Sequence, residues 1–381
     1  MTWPEVPFRQ ALRDVSGGNV KVPKSDFRDF GALPVVDQGQ GSIAGYVNDP
    51  NLVQRNELPV IVFGDHTRCF KYVDFPFAVG ADGVKILAAA DGFDPRYLFW
   101  FLTSLNIPSA GYSRHYKYLK DFLVAKPPLA EQKRIATVLD QVDTLRVKRR
   151  EAIALLGDLT KSIFFGMFGE SADDEYPLVQ LGDVLERRLR NGVSPSSQGV
   201  VESQVLTLSA VTRGRFDGNS RKSAKFMSDP TVDYSVSRHL FMICRGNGNK
   251  GLVGRGVFPD ADMSDTAYPD TVLAAPIKSA VVHPVYLEHA WATPNVRRQI
   301  EGAARTTNGT YKVNQKTMGA VMLALPGMER QREFAQQVQA IEAATGAHMA
   351  HLATLDELFA SLQHRAFSGT LWDHEISGEA A

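Results

Sequence analysis

The chain has 381 residues, 44% of them apolar, which is enough for two or more domains with buried cores. Its 42 basic and 42 acidic side chains cancel, which argues against a protein that holds nucleic acid by bulk charge alone and leaves local basic patches or a partner that supplies the charge. No apolar run is long enough to span a membrane, the first residues carry no signal-peptide pattern, and Cys69 and Cys244 make no metal-ligand spacing, so a cytoplasmic chain without bound metal is expected.

Residues 1–125 are rich in Gly, Asp and aromatic residues. Short strand-prone runs, Leu58–Phe63 and Val84–Leu87, lie between the turn signals Gly64-Asp65, Asp82-Gly83 and Asp91-Gly92. Asp94-Pro95 then opens a short helix over Arg96–Leu105. The pattern predicts a mixed α/β globule with a mostly antiparallel sheet.

Residues 126–169 form the first long helix. Ile135, Val138, Val142, Leu145, Ala152, Leu156, Leu159 and Ile163 recur at threes and fours, with Arg149 as the interruption. Pro127-Pro128 open the helix, and Gly166 and Gly169 close it. Residues 170–325 repeat the first globule, with expected strands Gln204–Ser209, His239–Cys244, Leu252–Val257 and Thr271–Ala275, and a helix opened by Val285-Tyr286-Leu287. Tyr97-Leu98 and Tyr286-Leu287 hold like places. Residues 326–370 form the second long helix, with Phe334, Ile341, Ala344, Leu355, Leu358 and Leu362 on the seam and Gly369 at the end, and 371–381 are a tail.

Residues 127–168 and 326–367 superpose at a shift of 199, which places Gln132 on Gln331, Val142 on Ile341, Leu156 on Leu355 and Phe168 on Phe367. The seam is broken at matching points as well: Arg149 and Ala152 fall on the polar His348 and His351. Each helix is roughly 55 Å long and carries a narrow apolar stripe, so it needs a partner, and the other copy packed antiparallel supplies it. A helical hairpin that only joins two domains would give the same stripe. Duplication of the whole globule-plus-helix unit favours a two-headed molecule, suited to a pseudo-twofold partner such as duplex DNA.

No phosphate-cradling G-x-x-x-x-G-K-[ST] loop, no N/D-P-P-[YF] adenine-methylation motif and no nucleophile elbow occurs. Pro276 stands where a metal-dependent nuclease would need an acid two residues before Lys278. Gly246-Asn247-Gly248-Asn249-Lys250-Gly251 fits G-x-G-x-x-G, but the segment behind it reads as a strand, so a tight hairpin is expected and not a dinucleotide site. The chain reads as a binding subunit with no catalytic residues. Cationic and amide side chains gather in predicted loops: Gln38, Gln40 and Ser42; Tyr112, Arg114 and Lys117; Arg213, Arg215, Asn219, Arg221 and Lys222; Arg305, Asn308 and Lys312. Arg and Lys suit guanine edges and phosphates, and Asn and Gln suit adenine. Ordinary solvated loops would have the same composition.

Pro127-Pro128-Leu129-Ala130-Glu131-Gln132-Lys133-Arg134-Ile135 and the helix behind it resemble the P-x-x-E-Q-x-x-I helix start of the specificity (S) subunits of type I restriction–modification systems. Pro34–Gly39 with Ile43–Tyr46, and Val205–Thr212 with Gly214–Phe216, add to the likeness, and the globule–helix–globule–helix order is its most specific part. The second helix start departs from the pattern, since Arg330 stands where Glu131 stands. The resemblance implies an α+β fold: two mixed α/β target recognition domains, 1–125 and 170–325, separated by an antiparallel coiled coil of two long helices. It implies a bipartite, asymmetric double-stranded DNA site and docking of two methyltransferase (M) subunits and of restriction (R) subunits. S-adenosylmethionine, ATP and Mg would bind those partners and no cofactor this chain, in a bacterial or archaeal cytoplasm. A methyltransferase or nuclease with an unrecognised motif, or a coiled-coil scaffold that binds no DNA, are the alternatives.

Overall fold

The computed structural model describes residues 3–81, 83–109, 111, 113–169, 175–307 and 309–371. The α+β chain separates into two units, Met1–Ala152 with His348–Ala381, and Ile153–Ala347. Each unit comprises a head and segments of both long helices, Leu129–Phe168 and Met328–Phe367.

The first head is built on a four-stranded antiparallel sheet in the order Leu12–Asp14, Val84–Ala89, Val60–Gly64, Phe70–Val73. A second four-stranded sheet, Lys21–Val22, Ala78–Gly80, Leu33–Val36, Gly45–Val47, includes parallel pairs. Helix Pro95–Ser104 covers the first sheet. Asp94 caps it by accepting from the N–H groups of Arg96 and Tyr97 at 3.0 and 2.9 Å. Tyr97 is wholly buried and its hydroxyl donates to the Ala125 carbonyl at 2.9 Å.

The second head repeats this plan. Its sheet runs Arg190–Asn191, Val272–Pro276, Leu240–Cys244, Gly256–Val257, and its second sheet Arg221–Phe226, Val201–Leu206, Met263–Ala267, Ser235–Val236. Helix Pro284–Trp291 takes the place of Pro95–Ser104, and Tyr286 donates to the Ala324 carbonyl at 2.7 Å. The expected strand over Leu252–Val257 shrinks to Gly256–Val257, and the expected tight hairpin is a longer connection. Asn249 closes a helical turn over Lys250–Leu252 there, and Gly254 sits at φ +71, where only glycine is unstrained.

In the first unit the start of the first long helix (Ile135, Leu139, Val142) and the end of the second (Leu355, Phe359, Ala366) enter one core. In the second unit the end of the first (Phe164, Phe168) and the start of the second (Phe334, Val338) do the same. The two helices therefore run antiparallel in each unit. Tyr97 packs against Phe367 and Tyr286 against Phe168, with centroids 5.6 and 5.0 Å apart. Positions matched by the 199-residue shift meet mid-helix, where Arg149 donates to His348 Nδ1 at 2.7 Å. Gly169 and Gly369, both at φ +77, end the helices; Gly166 lies inside the first one.

The apolar stripe departs from the sequence expectation at three points. Ile135, Val142, Phe334 and Leu355 are buried, and Leu156, Ile163, Ile341 and Leu362 half-buried, but Leu145, Leu159 and Leu358 are 49%, 44% and 44% exposed. Leu139, Phe164 and Phe359 are buried instead. Each helix end packs on a head as well as on the other helix, so the buried face widens there. A helix of 3.6 residues per turn also drifts by about 20° per heptad from a strict seven-residue stripe.

Gln132 and Gln331 are the buried polar residues of the helix starts. Gln132 accepts from Asp94 N–H at 2.8 Å and donates to the carbonyls of Gly92 and Pro127 at 3.1 and 2.9 Å. Gln331 accepts from His283 N–H at 2.8 Å and donates to Val281 and Pro326 at 3.3 and 2.8 Å. Each glutamine ties its long helix to the short helix of its own head.

Candidate nucleic-acid interface

In the first unit, one turn gathers the two predicted loops. It follows the central strand Val60–Gly64. The His66 N–H donates to the Gln38 side chain at 3.3 Å, and Thr67 donates to the Gln38 carbonyl at 2.5 Å. From the other side, the N–H groups of His115 and Tyr116 donate to the Asp65 carbonyl and carboxylate at 2.9 and 2.7 Å. Asp65 and His115 are buried, so this junction is rigid. Lys71, also buried, donates to the Asp37 carbonyl at 2.8 Å and holds the base of the Gln38 loop. Its ammonium pKa is lowered, chiefly by burial. Gln40, Ser42, Arg114 and Lys117 are exposed around the junction. Tyr116, under the Lys85 and Lys120 ammonium groups at 4.9 and 5.2 Å, has its phenol pushed up to about 12, first by burial and then by the Asp14 charge. Tyr112 lies outside the described residues.

In the second unit the predicted residues fall into two groups. Arg213, Arg215, Asn219, Arg221 and Lys222 belong to the loop and strand after Val201–Leu206, and all are exposed. Each arginine faces a carboxylate: Arg213 meets Asp217 at 3.1 Å, Arg215 meets Glu342 at 3.0 Å, and Arg221 meets Asp265 at 3.4 Å. The Asp217 carboxyl is held below its usual range, first by the Ser220 hydroxyl and further by the Asn219 N–H. The other group, Arg305 and Lys312, pairs across the hairpin of Arg305–Thr307 and Thr310–Lys312. Gly246 and Asn247 pair with Lys312 and Tyr311 of that hairpin. Asn308 lies outside the described residues.

The sequence marks a turn at Gly64-Asp65 but shows neither that this turn joins the Gln38 loop to the His115 loop nor that Gly246-Asn247 pairs with the hairpin. Both arise from long-range backbone bonds.

Glu288, on the short helix of the second head, has its carboxyl pushed up to about 7. Burial is the largest cause, and the Glu342 and Asp260 charges add to it. The folded-state pKa lies above the unfolded value. The neutral form is therefore favoured below the unfolded pKa, and that stability is lost as pH rises from about 4.5 through about 7. The loss reaches up to about 3 kcal/mol above that window. Glu288→Gln should therefore raise the unfolding midpoint at pH 8 and change little at pH 4; equal effects at both values, by thermal melts across the range, would show that the carboxyl is not perturbed.

Among the described residues no cluster of His, Cys, Asp and Glu could hold a metal ion, and no helix is long and apolar enough to cross a membrane. No family model matches the chain. It is 25% identical over 281 residues, 66% of its length, to the type I restriction enzyme EcoKI specificity subunit of Escherichia coli K12. It is 27% identical over 137 residues, 32% of its length, to the EcoR124I/EcoR124II specificity subunit of Escherichia coli. These alignments span 60% and 34% of the two relatives. The fold matches a solved S subunit of a type I restriction–modification system from M. genitalium with a TM-score of 0.59, at 12% identity, over 96% of both chains.

Proposed function

We propose that this chain, a member of the type I restriction–modification specificity-subunit family, reads DNA sequence for a methyltransferase and restriction complex and carries no catalytic step itself. Each head would read one half of a bipartite, asymmetric site. The long helices would space the heads and dock two M subunits, with R subunits joining for cleavage. S-adenosylmethionine would bind the M subunits, and ATP and Mg the motor and nuclease partners, in the cytoplasm of a bacterium or archaeon. The observation that carries this reading is the duplication itself: two heads of the same strand plan, each locked by a buried glutamine to one of two antiparallel helices. The loops of the heads differ in sequence, which supports unlike half-sites. Gln38, Gln40, Ser42, Arg114 and Lys117 are the contact candidates of the first head, and Asn219, Lys222, Arg305 and Lys312 those of the second, where Arg213, Arg215 and Arg221, candidates by sequence, are each paired with a carboxylate. The near-zero net charge agrees with M subunits that supply much of the phosphate contact.

The purified chain alone should transfer no methyl group from S-adenosylmethionine and should bind DNA weakly, with affinity falling steeply as salt rises. With its M subunits it should bind one sequence tightly and direct adenine methylation there, by extrusion of the base into the partner's active site. Gel-shift titrations and methylated-adenine mapping, with and without the M subunit, decide this. Methyl transfer by the lone chain, or a complex that methylates without sequence preference, would remove the proposal.

A further inference from the structure

The second head has two exposed basic regions, and they are not equivalent. We propose that the connection Arg245–Arg255, backed by Arg305 and Lys312, is the DNA-reading surface of this head, with Asn247, Asn249 and Lys250 as specificity-determining residues. The arginines at 213, 215 and 221 are not. The proposal rests on the DNA-reading function above and names the part of the head that performs it.

Three observations carry it. The first is charge. Residues 245–255 contain three basic and no acidic side chains, and 305–316 again three and none. Among the described residues Lys250, Arg305 and Lys312 have no carboxylate partner, whereas Arg213, Arg215 and Arg221 are each paired with one. A phosphate approaching the first surface meets uncompensated cations. At the second it must displace Asp217, Glu342 or Asp265 first.

The second is the state of the amides. Asn247 Oδ1 accepts from Asn249 N–H, and Asn249 Oδ1 from Gly251 N–H, both at 2.9 Å. The oxygens are used to shape the loop, and both Nδ2 groups remain as donors. A β-carbon on Gly248 would meet nothing within 4 Å, so the loop crest faces open space. Arg297 and Arg255 fix the loop from behind through the Val253 and Thr212 carbonyls at 2.9 and 3.0 Å. A rigid crest with directed N–H donors and one lysine suits base-edge acceptors and phosphate oxygens of a duplex.

The third is internal equivalence. In the first head His115 N–H donates to the Asp65 carbonyl at 2.9 Å and Asp65 N–H to Gly83 at 2.7 Å. In the second, Val313 N–H donates to the Arg245 carbonyl at 2.9 Å and Arg245 N–H to Thr271 at 2.8 Å. The Gly64–Cys69 turn and the Gly246–Gly251 loop thus leave the same strand of the same sheet and are tied to the same preceding-helix loop. That loop carries Arg114 and Lys117 in one head and Arg305 and Lys312 in the other. Both heads offer a cation-bearing loop at one matched position, as two readers built on one plan require.

The test uses the full chain assembled with its M subunits, a duplex library with each half-site randomised in turn, and sequencing of the methylated adenines. Asn247→Asp with Asn249→Asp keeps the oxygen that closes each turn but replaces the donors by charge, so folding is preserved; Lys250→Ala is combined with it in a second variant. Both should lose about tenfold or more in binding to the selected duplex and relax or change bases in one half-site, with the other unchanged. Arg213→Ala, Arg215→Ala and Arg221→Ala together should keep the same bases, with affinity within about threefold. Unchanged selection by the Asn247→Asp, Asn249→Asp complex, or altered selection by the triple-arginine variant, overturns the assignment while the wild-type complex still proves the DNA-reading function. A wild-type complex that selects no sequence overturns both.

Discussion

If each head reads one half-site, as proposed above, replacing residues 170–325 by the corresponding head of a relative will exchange one half of the methylated DNA site completely and leave the other half intact. The second head has its own buried clusters, one around Phe241, Tyr286 and Trp291 and one around Met242, Cys244 and Tyr268. The first head's cores share none of these residues. A graft therefore asks only that the junctions be kept. Phe168 and Phe334 belong to the recipient's helices, and Phe168 packs against both Tyr286 and Phe334. The donor head must bring an aromatic residue at position 286. It must also present a backbone N–H and carbonyl to Gln331, which any sequence does if the turn before its short helix is kept. Methylated-adenine mapping in cells that carry the hybrid and the native M subunit gives the answer. A hybrid that is active and alters both halves together would mean that the heads do not read independently.

Gln132→Met and Gln331→Met should each cost about 3 kcal/mol of folding stability, among the largest effects of any single polar substitution in the chain. Each variant keeps the length of the side chain but strands a buried N–H and two carbonyls, and one unpaired buried donor alone costs about 1–3 kcal/mol. Gln132→Glu should be no rescue, because a carboxylate could accept from Asp94 N–H but would face the Gly92 and Pro127 oxygens without a proton to give. Urea unfolding with hydrogen exchange on the heads measures both. The Gln132 change should loosen the Asp94–Tyr97 turn first, and the Gln331 change the His283–Val285 turn. A loss below about 0.5 kcal/mol would mean that water takes over these bonds.

The long helices, their ends and their duplication were legible in the sequence, because a helix writes its buried face into a local period. Gly169 and Gly369 mark the ends by their left-handed backbone, and the 199-residue shift aligns Arg149 with the His348 it meets. The resemblance to specificity subunits rested on the same local signals, the helix start around Gln132 and the order of the elements. The sequence alone also determined the pairing of Tyr97 with Tyr286 as equivalent residues. Only the tertiary structure decided which helical residues are buried. Leu145 and Leu358 lie on the expected stripe yet face solvent, while Leu139 and Phe359 are covered, because the head packs on each helix end as well as the other helix does. It also decided which basic residues are available. Arg215 and Glu342 are far apart in the chain and meet through the fold. Asn247 reaches Tyr311 through a strand pair of a few residues that no local pattern announces. Charge availability depends on partners brought in from distant sequence, and a one-dimensional reading has no access to them.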